Sequence, residues 1–230
     1  MKQGFLAICS LFIMHGLVGQ TFEWANSYGS QVNLQDFGNA VVADKAGYQY
    51  FTGRFGDSLI FANDTVYTFQ KFGNSAYFFK QSPQGKPLWI RTFKGPSTTG
   101  EGLGAALDAY GNVYFTGSFR DTAIFAQTDT LIATSQKDIF LAKYYTSGSF
   151  KWAISESGNN DDIGYGVTTY DSFVYFGGEK SNGGAFLAKY DSSGTSKWKK
   201  TGGRGEIQDL NTDSSGDLYV TGSSVVSGIN

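Results

Sequence analysis

The chain has 230 residues, a formal net charge of −2 at pH 7, 17% aromatic residues, 31 glycines and 3 prolines. This length suffices for one sizeable core or an array of small units, and the composition favours β-structure with tight glycine turns over a disordered or helical chain. Because the charge is nearly balanced and no basic stripe stands out, we expect no nucleic-acid partner.

Residues 1–20 are typical of a signal peptide. Lys2 supplies a positive start, residues 5–18 are mostly apolar, and residues 17–20 offer a cleavage region. The apolar run is too short and too interrupted to span a membrane. We therefore expect export to the medium or the cell surface, with no membrane span after removal of the signal. A buried N-terminal strand is the alternative.

Removal of this segment would limit the chemistry of the mature chain. The only cysteine, Cys9, and the only histidine, His15, both lie within it. The mature chain alone would then lack the groups for Ser–His or Cys–His catalysis, for His/Cys metal sites and for disulfide bonds. We expect no cofactor in residues 21–230, calcium being the one alternative.

A frame of four residues recurs along the rest of the chain. A tyrosine is followed by glycine three residues later, and a lysine further on is followed by tryptophan nine residues later. Successive tyrosines lie 64, 61 and 44 residues apart, within or just above the range of periods that indicates solenoids, propellers or arrays. The frame comprises Tyr50, Gly53, Lys80 and Trp89; Tyr114, Gly117, Lys143 and Trp152; Tyr175, Gly178, Lys189 and Trp198; and the pair Tyr219 and Gly222.

The second repeat predicts four short strands, over residues 102–108, 113–117, 139–144 and 150–154. Turns with glycine in the fourth position join the first strand to the second and the third to the fourth. Such a meander is the blade of a β-propeller. We predict an all-β propeller of four-stranded antiparallel blades at about 35–95, 101–158 and 162–203, with a partial blade at 205–230.

Repeats one and two carry about fifteen additional residues between their second and third strands. Apolar pairs separated by a polar tip predict a small hairpin in each, over residues 59–67 and 123–132. Strand alternation places both hairpins and the connectors between blades on one rim, and the tight turns on the opposite rim. Variable loops on one rim of a repeat array usually carry recognition.

Both ends of the repeat series predict incomplete blades. Trp24, followed by Gly29, is typical of a last strand without the rest of its blade, and residues 205–222 supply two strands only. Propellers usually have four to eight blades. We therefore expect a fragment of a larger protein, the alternative being an imperfect fourth blade that Trp24 completes.

Three segments of the second repeat, residues 111–117, 138–144 and 148–152, resemble the bacterial β-propeller repeat family labelled SBBP. The resemblance extends from about Gln35 to Gly222. It implies a secreted or surface propeller, often one module of a larger exported protein, and it brings no catalytic residues with it.

Candidate sites are few. The repeated tryptophans predict packing between blades, with sugar stacking as the alternative, and the lysines predict partly buried stems. The connector residues Asn159, Asn160, Asp161 and Asp162 are a candidate calcium or glycan site, although a solvated connector has the same composition. We expect a scaffold without catalysis that presents its hairpin loops to a protein or glycan. The alternative is part of a carbohydrate-active or quinoprotein-like enzyme whose active residues lie in missing blades.

Overall fold

The protein is described here by a computed structural model of residues 26, 28, 36–61, 64–67, 73–95, 99–126, 129–181 and 184–224. The expected signal peptide, with Cys9 and His15, and the isolated Trp24 lie outside the described residues. The described ranges form 18 strands in antiparallel sheets and no helix, which confirms the all-β prediction. They accordingly offer no helix of the length and apolarity that crossing a membrane requires.

Three sheets have four strands each in the same meander order, and a fourth sheet has two. Sheet 1 contains β1 (Phe37–Ala43), β2 (Gln49–Gly56), β5 (Asn74–Gln81) and β6 (Pro87–Thr92). Sheet 2 contains β7 (Thr99–Leu107), β8 (Asn112–Arg120), β11 (Asp138–Tyr145) and β12 (Phe150–Glu156). Sheet 3 contains β13 (Ile163–Tyr170), β14 (Phe173–Lys180), β15 (Gly184–Asp191) and β16 (Ser196–Gly202), and sheet 4 contains β17 (Gly205–Thr212) and β18 (Leu218–Ser224).

The central strands are aromatic and β-branched because they are covered on both faces. β8 and β11 are almost wholly buried, whereas β12 at the sheet edge is largely half-buried or exposed. Between sheets 1 and 2 the core is a cluster of rings around Phe78, whose centroid lies 4.9 Å from that of Phe115 and 5.8 Å from that of Phe140. Each buried ring of this size removes a large apolar area from water, so this cluster contributes strongly to the stability of the core.

The predicted tight turns are confirmed at both positions. In each, the glycine has a left-handed φ of 75° to 89°, and its N–H donates to the carbonyl three residues earlier over 2.8–3.1 Å. These turns are residues 44–47, 108–111 and 213–216 between first and second strands, and 82–85, 145–148 and 191–194 between third and fourth strands. Sheet 3 differs at its first turn, a two-residue connection in which Asp171 takes a φ of 54°.

The two predicted hairpins are also confirmed, as β3 (Ser58–Phe61) with β4 (Asp64–Tyr67) and β9 (Thr122–Ile124) with β10 (Thr130–Ile132). Each begins with an aspartate in the left-handed region, Asp57 at φ 62° and Asp121 at φ 60°. The second hairpin is anchored, since the backbones of Lys94 and Ile124 exchange hydrogen bonds of 3.0 and 2.7 Å and Phe125 is buried in the core.

Strand alternation places the tight turns on one rim and the hairpins on the other, as predicted. In sheet 1, Gln49 and Gln81 face each other next to the two tight turns, and Gly56 faces Asn74 next to the hairpin. We call the two ends the turn rim and the hairpin rim.

The glycine that follows the repeated tyrosine has a steric explanation. In all four sheets the pairing of the first and second strands shifts by one residue, forming a β-bulge opposite this glycine. The bulge directs a carbonyl oxygen at the glycine, so that a Cβ added at Gly117 would lie 1.9 Å from the oxygen of Glu101. Gly53, Gly178 and Gly222 face the same obstruction.

Replacing Gly117 with alanine should therefore destabilise the fold by about 2–3 kcal/mol, because a backbone oxygen cannot yield as a side chain can. Urea unfolding followed by tryptophan fluorescence measures this loss. Gly202→Ala is the matched control, since a Cβ there meets nothing within 4 Å. Equal stabilities of the two variants would contradict this account of the bulge.

Candidate functional site

The repeated tyrosine, lysine and tryptophan form one row across the second, third and fourth strands of each sheet. Tyr114 faces Lys143, which in turn faces Trp152. The ammonium of Lys143 lies 4.7 Å from the ring centroid of Tyr114, and the centroids of Tyr114 and Trp152 are 6.0 Å apart. The rows in sheets 1 and 3 have the same pairing, so the frame records one structural unit rather than four separate motifs.

Two of these rows bind the next sheet. The Nζ of Lys80 and the Nε1 of Trp89 both donate to the carbonyl of Thr146, over 3.1 and 3.0 Å. Lys143 and Trp152 donate in the same way to Ser192, over 3.0 and 3.2 Å.

Both acceptors lie in the third-to-fourth turn of the following sheet. The turn glycine packs against the indole, and a Cβ at Gly148 would lie 2.7 Å from Trp89. Trp89 and Trp152 thus pack against the turn of the following sheet, whereas Trp198 is bonded to no turn among the described residues. Trp89 is buried, and Trp152 and Trp198 are half-buried.

An aspartate six residues before the tyrosine extends this row; the sequence pattern predicted it to open the tight turn but not to bond the tyrosine. The tyrosine hydroxyls of Tyr50, Tyr114 and Tyr219 donate to Asp44, Asp108 and Asp213, each over 3.2 Å. The regular six-residue spacing is visible in the sequence and could have revealed the pair. In the third repeat, Thr169 replaces the aspartate and donates to the carbonyl of Leu107 in sheet 2.

Burial at this interface shifts several pKa values. Lys143, 3.5 Å from the Asp108 carboxylate, is almost wholly buried, and desolvation lowers its pKa. Burial, with the nearby Asp108 carboxylate, raises the pKa of Tyr114, and burial with Asp44 raises that of Tyr50. Both tyrosines therefore remain neutral hydrogen-bond donors well beyond ordinary alkaline conditions.

A cleft of about 170 Å³ opens on the hairpin rim between sheets 1 and 2, and it is the candidate functional site. Polar and charged groups converge there from the ends of β2, β5, β7 and β8, and from Lys137 just before β11. The lining residues are Arg54, Asn74, Thr99, Gly100, Glu101, Ser118, Phe119, Arg120 and Lys137.

The cleft is lined by three cations and one carboxylate, and a second carboxylate, that of Asp161, pairs with two of the cations, so the group has a net positive charge. Arg54 lies 3.5 Å from Glu101, and its guanidinium lies 4.4 Å from the ring centroid of Phe37. Arg120 and Lys137 share the Asp161 carboxylate at 3.3 and 3.5 Å. All five charged side chains are 27–42% exposed, so these pairs are weak and a ligand can exchange with them.

The connector residues 159–162, considered above as a calcium or glycan site, contact several different neighbours. Asp161 pairs with two cations that line the cleft, Arg120 and Lys137. The buried Asp162 instead accepts from the backbone N–H of Ser181 over 2.8 Å and lies 3.5 Å from the Lys180 ammonium. Asn159 and Asn160 use their backbones, donating to Ser181 and accepting from Ser135. Nowhere in the described ranges do three or more His, Cys, Asp or Glu side chains form a group suited to a metal.

The charge on the hairpin rim changes sign toward sheets 3 and 4. Burial and the carboxylates of Glu206 and Glu179 raise the pKa of Tyr165 to about 12, and Tyr165 is hydrogen-bonded to Glu206. Burial and Glu206 also raise the pKa of Glu179. One rim therefore carries a cationic cleft at the first sheet interface and an acidic group at the third.

Comparison with known proteins adds no family to this description. The chain matches no protein-family model, and the search of curated proteins gives no match.

The substitution Trp152→Ala should lower the free energy of unfolding by about 3 kcal/mol or more. The Trp152 ring packs against Gly194, and its N–H donates to the carbonyl of Ser192. Trp198→Ala should cost less than about 2 kcal/mol, since Trp198 is similarly half-buried but bonded to no turn among the described residues. Chemical unfolding followed by circular dichroism compares them. Equal losses would show that turn docking contributes nothing.

The raised tyrosine pKa values predict alkaline destabilisation. A neutral tyrosine favoured by the fold contributes stability that is complete below the unfolded pKa near 10 and is lost as pH rises toward the higher folded pKa. The free energy of unfolding should fall from about pH 9.5 upward, by up to about 1.4 kcal/mol per pH unit for each such group. Tyr114→Phe should reduce this slope relative to the exposed control Tyr110→Phe, and equal slopes would argue against the assignment.

Proposed function

We propose that this protein is an exported β-propeller module that binds a ligand through its hairpin rim and has no catalysis of its own. The signal peptide expected in residues 1–20 and the resemblance to the SBBP-type repeat family support export to the medium or the cell surface. The ligand is a protein or a glycan. The observation that carries the proposal is the mixed-charge cleft between sheets 1 and 2.

The packing of successive sheets supports the propeller. The first strands of neighbouring sheets contact each other in order, β1 with β7, β7 with β13, and β13 with β17. In sheets 1 and 2, the tryptophan of the outer strand is hydrogen-bonded to the third-to-fourth turn of the following sheet. In a propeller, each sheet contacts the next through its first strand near the axis and through its outer strand at the circumference. The repeated contacts described above are the ones expected of that arrangement.

The charges of the cleft favour a ligand that carries a carboxylate. The three cations of the cleft exceed by one charge the two carboxylates that pair with them, Glu101 and Asp161. The guanidinium groups of Arg54 and Arg120 suit a bidentate oxygen pair. The carboxylates of Glu101 and Asp161 are engaged with cations, which suits ligand exchange better than proton transfer. An acidic sugar or an acidic side chain has the required chemistry.

The test measures binding of the exported chain to uronic-acid oligosaccharides, neutral oligosaccharides and an acidic peptide by isothermal titration calorimetry. The acidic probes should bind, and the double variant Arg120→Ala/Lys137→Ala should weaken binding about tenfold or more. The control Lys45→Ala/Lys86→Ala removes two exposed lysines from the turn rim and should bind as the unaltered protein does.

Two results would overturn the proposal. Equal weakening in both double variants would show that binding follows net charge and not the cleft. Turnover of a glycoside, a polyuronate or a quinone-dependent alcohol substrate by the purified chain would support the alternative, an enzyme module.

A further inference from the structure

A hollow of about 390 Å³ opens on the turn rim between sheets 2 and 3. Sheet 2 and its two tight turns supply five of the lining residues, and the third-to-fourth turn of sheet 3 supplies the sixth. Small-molecule sites in proteins usually have volumes of roughly 300–1,000 Å³, so the hollow can hold one small ligand. The lining residues are Tyr110, Asn112, Lys143, Tyr145, Lys151 and Ser192. We call this space the turn-rim hollow.

In sheets 1 and 3 an aromatic ring covers the repeated lysine at the corresponding place. This ring belongs to the residue two positions before the repeated tyrosine. The ammonium of Lys80 lies 4.4 Å from the ring centroid of Tyr48. In sheet 3 the ammonium of Lys189 lies 3.8 Å from the ring centroid of Phe173. Both lysines therefore hold an aromatic face in cation–π contact.

Sheet 2 has an asparagine at this position instead of an aromatic residue. The side-chain amide of Asn112 donates to the Asp108 carboxylate over 2.7 Å, so it is turned toward its own tight turn. Asn112 and Lys143 both line the turn-rim hollow. The hollow therefore opens where the other two full sheets have a ring over the lysine.

Two tyrosines that are exposed to solvent border the hollow at the tight turns of sheet 2. Tyr110 in the first turn is 71% exposed, and Tyr145 at the start of the second turn is 45% exposed. The equivalent turn positions of sheet 1 hold the small residues Ala46 and Ser82. Sheet 2 thus combines the missing ring with two aromatic surfaces that sheet 1 lacks.

The hollow also has an ammonium group that is available to a ligand. Lys143 is almost wholly buried and lies 3.5 Å from the Asp108 carboxylate. Lys151 is exposed, its ammonium lies 4.8 Å from the ring centroid of Tyr145, and the described residues give it no carboxylate partner. A ligand with a negative charge can therefore pair with Lys151 without breaking an ion pair of the fold.

We propose that the turn-rim hollow binds a small aromatic carboxylate. The ring of the ligand takes the place of the aromatic side chains in sheets 1 and 3, with its face toward the Lys143 ammonium. Tyr110 and Tyr145 lie beside the ring, and the Lys151 ammonium pairs with the carboxylate. A buried ammonium gains more from an aromatic face than an exposed one does, so the position over Lys143 favours such a ring.

A neutral sugar fits this site less well, although sugars also stack on exposed tyrosines. A sugar ring has no π-face for the Lys143 ammonium. Its hydroxyl groups need polar partners, and the Asn112 amide already donates to Asp108. The charge of Lys151 also has no counterpart on a neutral sugar.

The test titrates the purified chain with phenylacetate and follows backbone N–H signals by NMR. The signals of residues 110–112 and 145–148 should shift. Cyclohexylacetate has the same charge and a similar size but no π-face, and it should bind about fivefold or more weakly. The neutral aromatic compound 2-phenylethanol should also bind more weakly, and methyl glucoside should not bind.

Two variants examine the ring position and the charge separately. Asn112→Tyr introduces the residue that sheet 1 has at Tyr48, so it should fill the hollow and abolish phenylacetate binding without lowering the melting temperature. Lys151→Met should weaken binding of phenylacetate about threefold or more and leave that of 2-phenylethanol unchanged. The matched control Lys86→Met removes an exposed lysine at a tight turn of sheet 1 and should change neither affinity.

Three outcomes would overturn the inference: a phenylacetate titration that shifts no signal, equal affinities for phenylacetate and cyclohexylacetate, and binding retained by a folded Asn112→Tyr variant. If Asn112→Tyr does not fold, Tyr110→Ala at an exposed position decides, since it should weaken binding and an unchanged affinity would contradict the site.

The site is separate from the cleft on the hairpin rim, and one variant distinguishes them. Arg120→Ala/Lys137→Ala, which should weaken binding of acidic probes to the cleft, should leave phenylacetate binding unchanged. Loss of phenylacetate binding in this variant would place the ligand in the cleft and overturn the inference. Failure of the cleft to bind any acidic probe leaves the inference unaffected.

Discussion

Two backbone carbonyls, of Thr146 and Ser192, connect the sheets on which the rest of the structure depends. Each accepts from a lysine and a tryptophan of the preceding sheet, so that one turn holds two donors from two strands. A sheet of four short strands cannot bury both faces alone, and its central strands here are buried because the next sheet is held against them. The recurring frame is therefore explained by contacts between sheets. It does not by itself indicate a ligand site or a catalytic site.

Local rules account for most of what the sequence predicted. Turns with a left-handed glycine, alternating aromatic strands and an extra hairpin are each decided within ten or twenty residues, and these predictions were confirmed. The first turn of sheet 3 escaped prediction because Asp171 adopts a left-handed φ without glycine. The sequence marked Gly117 as special but could not give the reason, because the bulge that crowds it depends on pairing with β7.

The cleft could not be predicted from the sequence, because its charges come from segments far apart in the chain. Arg54 and Glu101 meet only after β2 and β7 pack side by side, and Asp161 meets Arg120 only across a connector. The connector motif was noticed for its carboxylates, yet its two aspartates serve different neighbours. The residue types of the connector indicated a candidate site. Only the placement of the sheets shows which cations neutralise its two carboxylates.

The two rims of the molecule contribute to the interfaces between sheets in different ways. Lysine, tryptophan, aspartate and glycine are committed to contacts between sheets on the turn rim, where a substitution changes stability before it changes anything else. On the hairpin rim the charged groups are partly exposed and weakly paired, so substitutions there cost little stability. Substitutions among these exposed charges can therefore alter the surface of the cleft without loss of the fold. This difference is the reason for proposing the cleft, and not the repeated aromatic row, as the ligand-binding site of the proposed function.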